Sequence, residues 1–147
     1  MPEKGWLLNY KQQTMFPRDT KILFVDDSES MRLRIEADLK ELGFNNLTSA
    51  SDGDEALELL KQANADNDPF ALLLTDIQMD RMNGLKLLEE VRAEEGLKSL
   101  PVIMVSSESE KAIILDAIRK GANGYVFKPF RKQYLEEKLA EVFSKLS

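Results

Sequence analysis

The chain contains neither histidine nor cysteine among its 147 residues. Without histidine there is no Ser-His-Asp relay, no imidazole metal ligand and no phosphohistidine donor on this chain. Without cysteine there is no disulfide framework, no thiolate nucleophile and no thiolate-bound metal. No apolar run approaches the ~20 residues that a membrane-spanning helix needs. The opening MPEKGWLLNYKQQTMF lacks both the apolar core and the small-residue cleavage site of a signal peptide. A cytoplasmic protein without membrane association is therefore expected. With a net charge of −6, the sequence also lacks the clustered Lys and Arg of a nucleic-acid footprint. Chemistry on this chain falls to carboxylates, hydroxyls and lysine.

What is present reads as one soluble domain. The hydrophobic and charged fractions, 43% and 31%, are ordinary for a globular protein, and the length suffices for a substantial core. From residue 21 onward, short apolar runs alternate with helical patterns. KILFV (21–25) is a strand ending at Asp26 and Asp27. A helix follows on Met31, Ile35, Leu39 and Leu42, stopped by Gly43. NLTSA (46–50) is a poorer strand, followed by a helix capped at Asp52 or Asp54 that carries Ala56, Leu57, Leu60 and Ala63. FALLLT (70–75) is the third strand, and the next helix runs through Leu85, Leu88 and Val91 after Asn83 and Gly84. VIMVS (102–106) is the fourth, with a helix from about Glu110 to Lys120 ending at Gly121. GYVF (124–127) is the fifth, and the last helix rests on Leu135, Leu139, Val142 and Leu146. Five such β/α units imply an α/β, flavodoxin-like (βα)5 fold: a doubly wound five-stranded parallel sheet in the order 2-1-3-4-5. Residues 20–147 form the domain and residues 1–19 an N-terminal extension.

In an open parallel sheet the ligand site lies beyond the carboxyl ends of the strands, at the switch in strand order. That topology gathers Asp26 and Asp27 from the first strand with Asp76 from the third. Taken singly, each is most simply a helix cap, and Asp27 or Ser28 could serve as one. Together, three like charges disfavour one another's ionisation, a conflict that a hard divalent cation such as Mg²⁺ resolves. The fourth strand adds the Ser106 hydroxyl and the fifth adds Lys128. Carboxylates, a hard cation, a hydroxyl and an ammonium suit phosphoryl transfer to a carboxylate nucleophile.

The segments FVDDSES, LLLTDIQM, PVIMVSSES and GANGYVFKPF resemble the receiver domain of two-component response regulators, in particular the CheY-like single-domain regulators of chemotaxis. The resemblance spans roughly residues 20–147. It implies Asp76 as phosphoacceptor. It implies Mg²⁺ held by Asp27, Asp76 and the Gln78 main-chain carbonyl, with Asp26 acting through water. It implies that Ser106 hydrogen-bonds the phosphoryl group, that Lys128 bridges to it, and that Tyr125 is the aromatic switch. A cis bond is implied before Pro129. Gln78 and Glu108 occupy positions that tune the phosphoryl lifetime. The partners implied are a histidine kinase or phosphotransfer protein as donor and a downstream target such as a flagellar switch component, with the chain itself a monomer or weak dimer.

Three positions depart from the family's usual pattern. Ser106 stands in place of threonine, so the hydroxyl survives without its methyl group. Asp80 replaces a proline, which should leave its loop less restricted. Asn83 replaces an aspartate. The helix EKAIILDAIRKG is apolar over more than one face, which suits either a broad core contact or an exposed output surface. In the extension, Trp6, Leu7, Leu8, Tyr10, Met15 and Phe16 are unusually apolar, so it is expected to dock on the domain or mediate self-association. Two other classes fit less well. A haloacid-dehalogenase-like phosphatase carries an acid where this chain has Gln78, and the acidic DDSES would repel a flavin phosphate.

Overall fold

The computed structural model describes residues 14–146. Five strands alternate with five helices: β1 (Lys21–Val25), α1 (Glu29–Glu41), β2 (Asn46–Ala50), α2 (Gly53–Ala65), β3 (Leu72–Thr75), α3 (Gly84–Ala93), β4 (Val102–Ser106), α4 (Lys111–Arg119), β5 (Gly124–Phe127) and α5 (Lys132–Ser144). The sheet order is β2-β1-β3-β4-β5 with every pair parallel, as the strand spacing predicts. Strand β3 begins two residues later than its apolar run suggests, because Ala71 is exposed. Helix α4 is likewise shorter by one residue at each end, with Glu110 and Lys120 in the cap positions.

Alternation along the strands divides the core in two. Ile22, Phe24, Leu72, Leu74, Ile103 and Val105 face α1 and α5, where Ile35, Leu39, Leu135 and Leu139 pack. Leu23, Val25, Leu73, Val102 and Met104 face the other way, onto Leu60, Leu87, Leu88 and Val91 of α2 and α3. Strands buried on both faces read as near-continuous apolar runs, which is why β1, β3 and β4 are so plain in the sequence.

Local chemistry sets the helix ends. Ser28, Asp52 and Asn83 cap α1, α2 and α3 by accepting from the N–H groups of Met31, Glu55 and Lys86. Gly43 and Gly121, at φ +103° and +102°, turn the chain out of α1 and α4 through the left-handed region.

The start of the described chain lies against the α1/α5 face. Phe16 is buried and meets Phe143 edge-on at 5.1 Å. The Thr20 N–H and hydroxyl both donate to the Pro17 carbonyl, at 3.0 and 2.6 Å. The expectation for Trp6, Leu7, Leu8 and Tyr10 concerns positions outside the described residues. No helix among the described residues is long and apolar enough to cross a membrane.

Candidate functional site

Register places the acids. Val25 of β1 stands beside Thr75 of β3, so the next residues, Asp26 and Asp76, emerge side by side at the carboxyl edge of the sheet. The Asp76 N–H still donates to the Val25 carbonyl at 2.9 Å. Strand β4 ends at Ser106 beside Phe127, which brings Lys128 to the same edge. Asp26, Thr75, Asp76 and Ser106 are four of the five buried polar residues among those described. Burying so many polar groups at one edge is unfavourable unless each is hydrogen-bonded.

They are. The Lys128 Nζ bridges Asp26 Oδ2 at 2.7 Å and Asp76 Oδ2 at 3.1 Å. Asp26 Oδ1 accepts from the Ser28 N–H at 2.9 Å, and Asp76 Oδ1 from the Ile77 N–H at 2.7 Å. Burial pulls the Lys128 ammonium toward its neutral form, but hydrogen bonding and charge from Asp26 and Asp76 outweigh it, and its pKa lies above the ordinary lysine value. Asp27 projects outward. Partial burial, then the charges of Asp26, Asp80 and Asp76, hold its pKa above the usual carboxylate value. The Lys128–Pro129 peptide is cis, as the resemblance implies.

One oxygen from each of Asp26, Asp27 and Asp76 lies within 4.8 Å of the others. All three donors are hard carboxylate oxygens and no soft ligand is near, a set that suits Mg²⁺. The acidic cluster could thus hold a divalent cation. It opens into a depression of about 690 Å³ lined by Asp27, Asp76, Gln78, Asp80 and Glu108, among others. At the mouth Gln78 Nε2 donates to Glu108 Oε2 at 2.9 Å, which joins the two residues assigned above to the phosphoryl lifetime.

Ser106 and Tyr125 meet through a shared neighbour. Ser106 Oγ accepts from the Glu108 N–H at 3.1 Å rather than bonding to Asp76 or Lys128. The Tyr125 hydroxyl donates to the Glu108 carbonyl at 2.8 Å. Tyr125 is 9% exposed, and burial pushes its phenol up from the ordinary value. Its ring leans on Phe127, centroid to centroid 4.8 Å. Helix α4 combines both readings of its sequence. Ile113, Ile114 and Ala117 contact the core, while Leu115 and Ile118 stay exposed.

Two arginines carried no sequence signal, Arg32 at the site and Arg92 at the opposite, amino edge of the sheet. The Arg32 guanidinium donates to the Asp26 carbonyl at 2.7 Å. Arg92 ties the approach to β4 to the turn before β5 through the carbonyls of Leu100 and Gly121 and the Asn123 side chain. Both are helix arginines whose hydrogen bonds reach backbone carbonyls beyond their own helix. The loop after β3, though it lacks proline, is held from outside: the Gly53 N–H donates to the Met82 carbonyl, and the Gly84 N–H to that of Ile77.

Comparison with known proteins agrees with this geometry. Residues 22–140 match the response regulator receiver domain family. The chemotaxis protein CheY of Pseudomonas aeruginosa is 45% identical over 127 residues, covering 86% of this chain and 98% of that protein. The chemotaxis protein CheY-3 of Vibrio cholerae is 40% identical over 134 residues, covering 91% and 99%. Among solved structures, the chemotaxis response regulator CheY4 of Vibrio cholerae superposes with a TM-score of 0.73 at 31% identity, over 84% of this chain and 98% of that one. A CheX–CheY–BeF3–Mg²⁺ complex from Borrelia burgdorferi gives 0.76 at 28% identity, over 84% and 88%. With the fold, the strand-end acids and these relatives in agreement, the chain belongs to the response regulator receiver domain family.

Proposed function

We propose that the protein is a phosphoacceptor response regulator of a two-component, chemotaxis-type pathway, with Asp76 as the residue phosphorylated. The observation that carries this reading is the Lys128 ammonium bridging Asp26 to Asp76, with Asp76 itself lining an open acidic depression. One carboxylate there is buried and fully bonded, and the other faces an approach wide enough for a partner's phosphorylated side chain.

Asp27, Asp76 and the Gln78 main-chain carbonyl would hold Mg²⁺, with Asp26 supporting from behind. The bound cation would supply charge neutralisation for the phosphoryl oxygens. An Asp76 carboxylate oxygen attacks phosphorus, the phosphorus–nitrogen bond of a partner's phosphohistidine breaks, and an acyl phosphate forms. Lys128 balances the added charge, and the Ser106 hydroxyl turns toward the new acceptors. Because Ser106 and Tyr125 both bond to Glu108, that turn also loosens the anchor of Tyr125. The surface of Leu115, Ile118 and Phe127 then changes its preference for a target. Water later cleaves the acyl phosphate, restoring the carboxylate and releasing inorganic phosphate. Gln78 and Glu108 set how readily water enters. The donor is a histidine kinase or phosphotransfer protein, and the target is a protein such as a flagellar switch component.

The test is incubation with acetyl phosphate and Mg²⁺. A single alkali-labile phosphorylation that Asp76→Asn abolishes is expected. Absence of label on the wild type, or retention on Asp76→Asn, overturns the reading.

A further inference from the structure

Helix α2 contributes nothing to the acidic triad, yet its first residue holds the loop that runs past it. The Gly53 N–H donates to the Met82 carbonyl at 3.0 Å. The approach is so close that a Cβ on Gly53 would lie 2.3 Å from that oxygen and 2.8 Å from the Met82 Cβ. Gly53 is not in the left-handed region, so the alanine backbone would be unstrained there. Only the contact with Met82 excludes a side chain. Next to Met82, Arg81 reaches to the same helix end, its Nε 3.4 Å from Asp54 and 4.0 Å from Asp52. Two residues on from Met82, where α3 begins, a Cβ on Gly84 would stand 1.9 Å from the Asp76 carbonyl, so the close of the loop packs back on its start. The 77–84 segment is thus seated where it runs into α3, and upstream of that seat it carries Gln78 and Asp80 along the wall of the depression. With Asp80 where a proline would restrain the loop from within, the restraint comes from a neighbouring helix.

We propose that Gly53 is a positioning residue for the divalent-cation site. By seating the Met82 carbonyl on the amino end of α2, it fixes the path of the loop and with it the placement of Gln78 against Asp27 and Asp76. The proposal rests on reading the triad as a Mg²⁺ site. Residues that orient metal ligands change affinity by about 10–100-fold when removed. The coupling is reciprocal, so a cation held with help from this seat also tightens it.

Calorimetric titration of Mg²⁺ into the full chain, without phosphodonor, supplies the first test. Gly53→Ala is expected to raise the Kd about tenfold while far-UV circular dichroism stays unchanged. Gly96→Ala, whose Cβ would meet only the Asn64 side chain, should leave the Kd as it is. The second test uses the unaltered protein: hydrogen exchange at the Gly53 amide, followed by NMR, should slow when Mg²⁺ is added. Exchange there that ignores Mg²⁺, or a folded Gly53→Ala variant with the wild-type Kd, overturns the positioning role while leaving the metal site intact. A wild-type chain that binds no Mg²⁺ overturns the metal-site reading and this proposal with it. If Gly53→Ala fails to fold, the exchange measurement decides.

Discussion

Lys128 sets the charge balance of the site, because a single ammonium serves two carboxylates, one of them only 1% exposed. Lys128→Met keeps the length of the side chain and strands both acids. Removing one partner of a buried ion pair typically costs about 3–5 kcal/mol, and urea denaturation at neutral pH should show a loss of about 3 kcal/mol. The pH dependence follows from the raised pKa of Lys128. A base held above its ordinary value contributes fully below that value, ~10.4, and loses the contribution as pH rises through the native one. The gap between wild type and variant should therefore be flat through neutrality and close only in alkali. Asp27 has the opposite sign. Its raised pKa means the folded chain binds that proton more tightly than the unfolded chain. Ionisation therefore subtracts stability as pH rises from the ordinary ~3.9 through the native value. Asp27→Asn is expected to raise the metal-free Tm at neutral pH by roughly 1–2 °C, since an exposed charge interacts weakly. The same variant should lose the Tm increase that Mg²⁺ brings to the wild type, and a thermal scan with and without Mg²⁺ checks both signs.

At the scale of elements, the first described turn of chain is part of the core rather than an appendage. Phe16 is 7% exposed against Phe143, with Phe44 and Leu42 in the same apolar cluster. Phe16→Ala is expected to cost about 3 kcal/mol in denaturant unfolding while leaving phosphorylation of Asp76 unchanged. Most elements were legible because period and boundary agreed. KILFV and VIMVS are buried on both faces, the first ending in two acids and the second opened by Pro101, and Ile35 and Leu39, or Leu135, Leu139 and Val142, recur at helical spacing. Leu87 was missed because a ten-residue helix buries two adjacent leucines, wider than a single apolar stripe. The convergence of Asp26, Asp27, Asp76, Ser106 and Lys128 was legible too, since topology alone carries strand ends to one edge. Contacts set by side-chain reach or by how loops pack were not. The Gln78–Glu108 bond, the Arg32 bond to Asp26 and the seat of Met82 on Gly53 join residues about 30, 6 and 29 positions apart, and no local pattern encodes them. The missing proline pointed to a looser loop, and the restraint lies instead in a neighbouring helix.

Across the whole molecule, the site and the exposed apolar surface are linked by a short chain of contacts rather than by a movement of the sheet. Asp76 lines the depression with Lys128 bonded to it, Ser106 ends β4 at the same edge, and Glu108 accepts from Tyr125 while its own N–H donates to Ser106. Tyr125 then leans on Phe127, which is exposed, as are Leu115 and Ile118 on α4. The central strands are fully buried on both faces and cannot shift without disturbing both cores. On the proposed reading, a phosphoryl signal travels through the β4–α4 loop, the part of this route least tied to either core. Such a route works only if both ends bias the same two-state element. Ser106→Ala is the variant that separates the ends, because it removes the hydroxyl without touching the carboxylates or Lys128. With acetyl phosphate and Mg²⁺, the wild type is expected to show amide shift changes in NMR at Ser106, Glu108, Tyr125, Phe127 and Ile118. Ser106→Ala should still accept label on Asp76, yet shift Tyr125, Phe127 and Ile118 far less. Equal shifts on α4 and β5 in both proteins would mean that the signal bypasses Ser106, and the output surface would then have to be sought along another edge of the sheet.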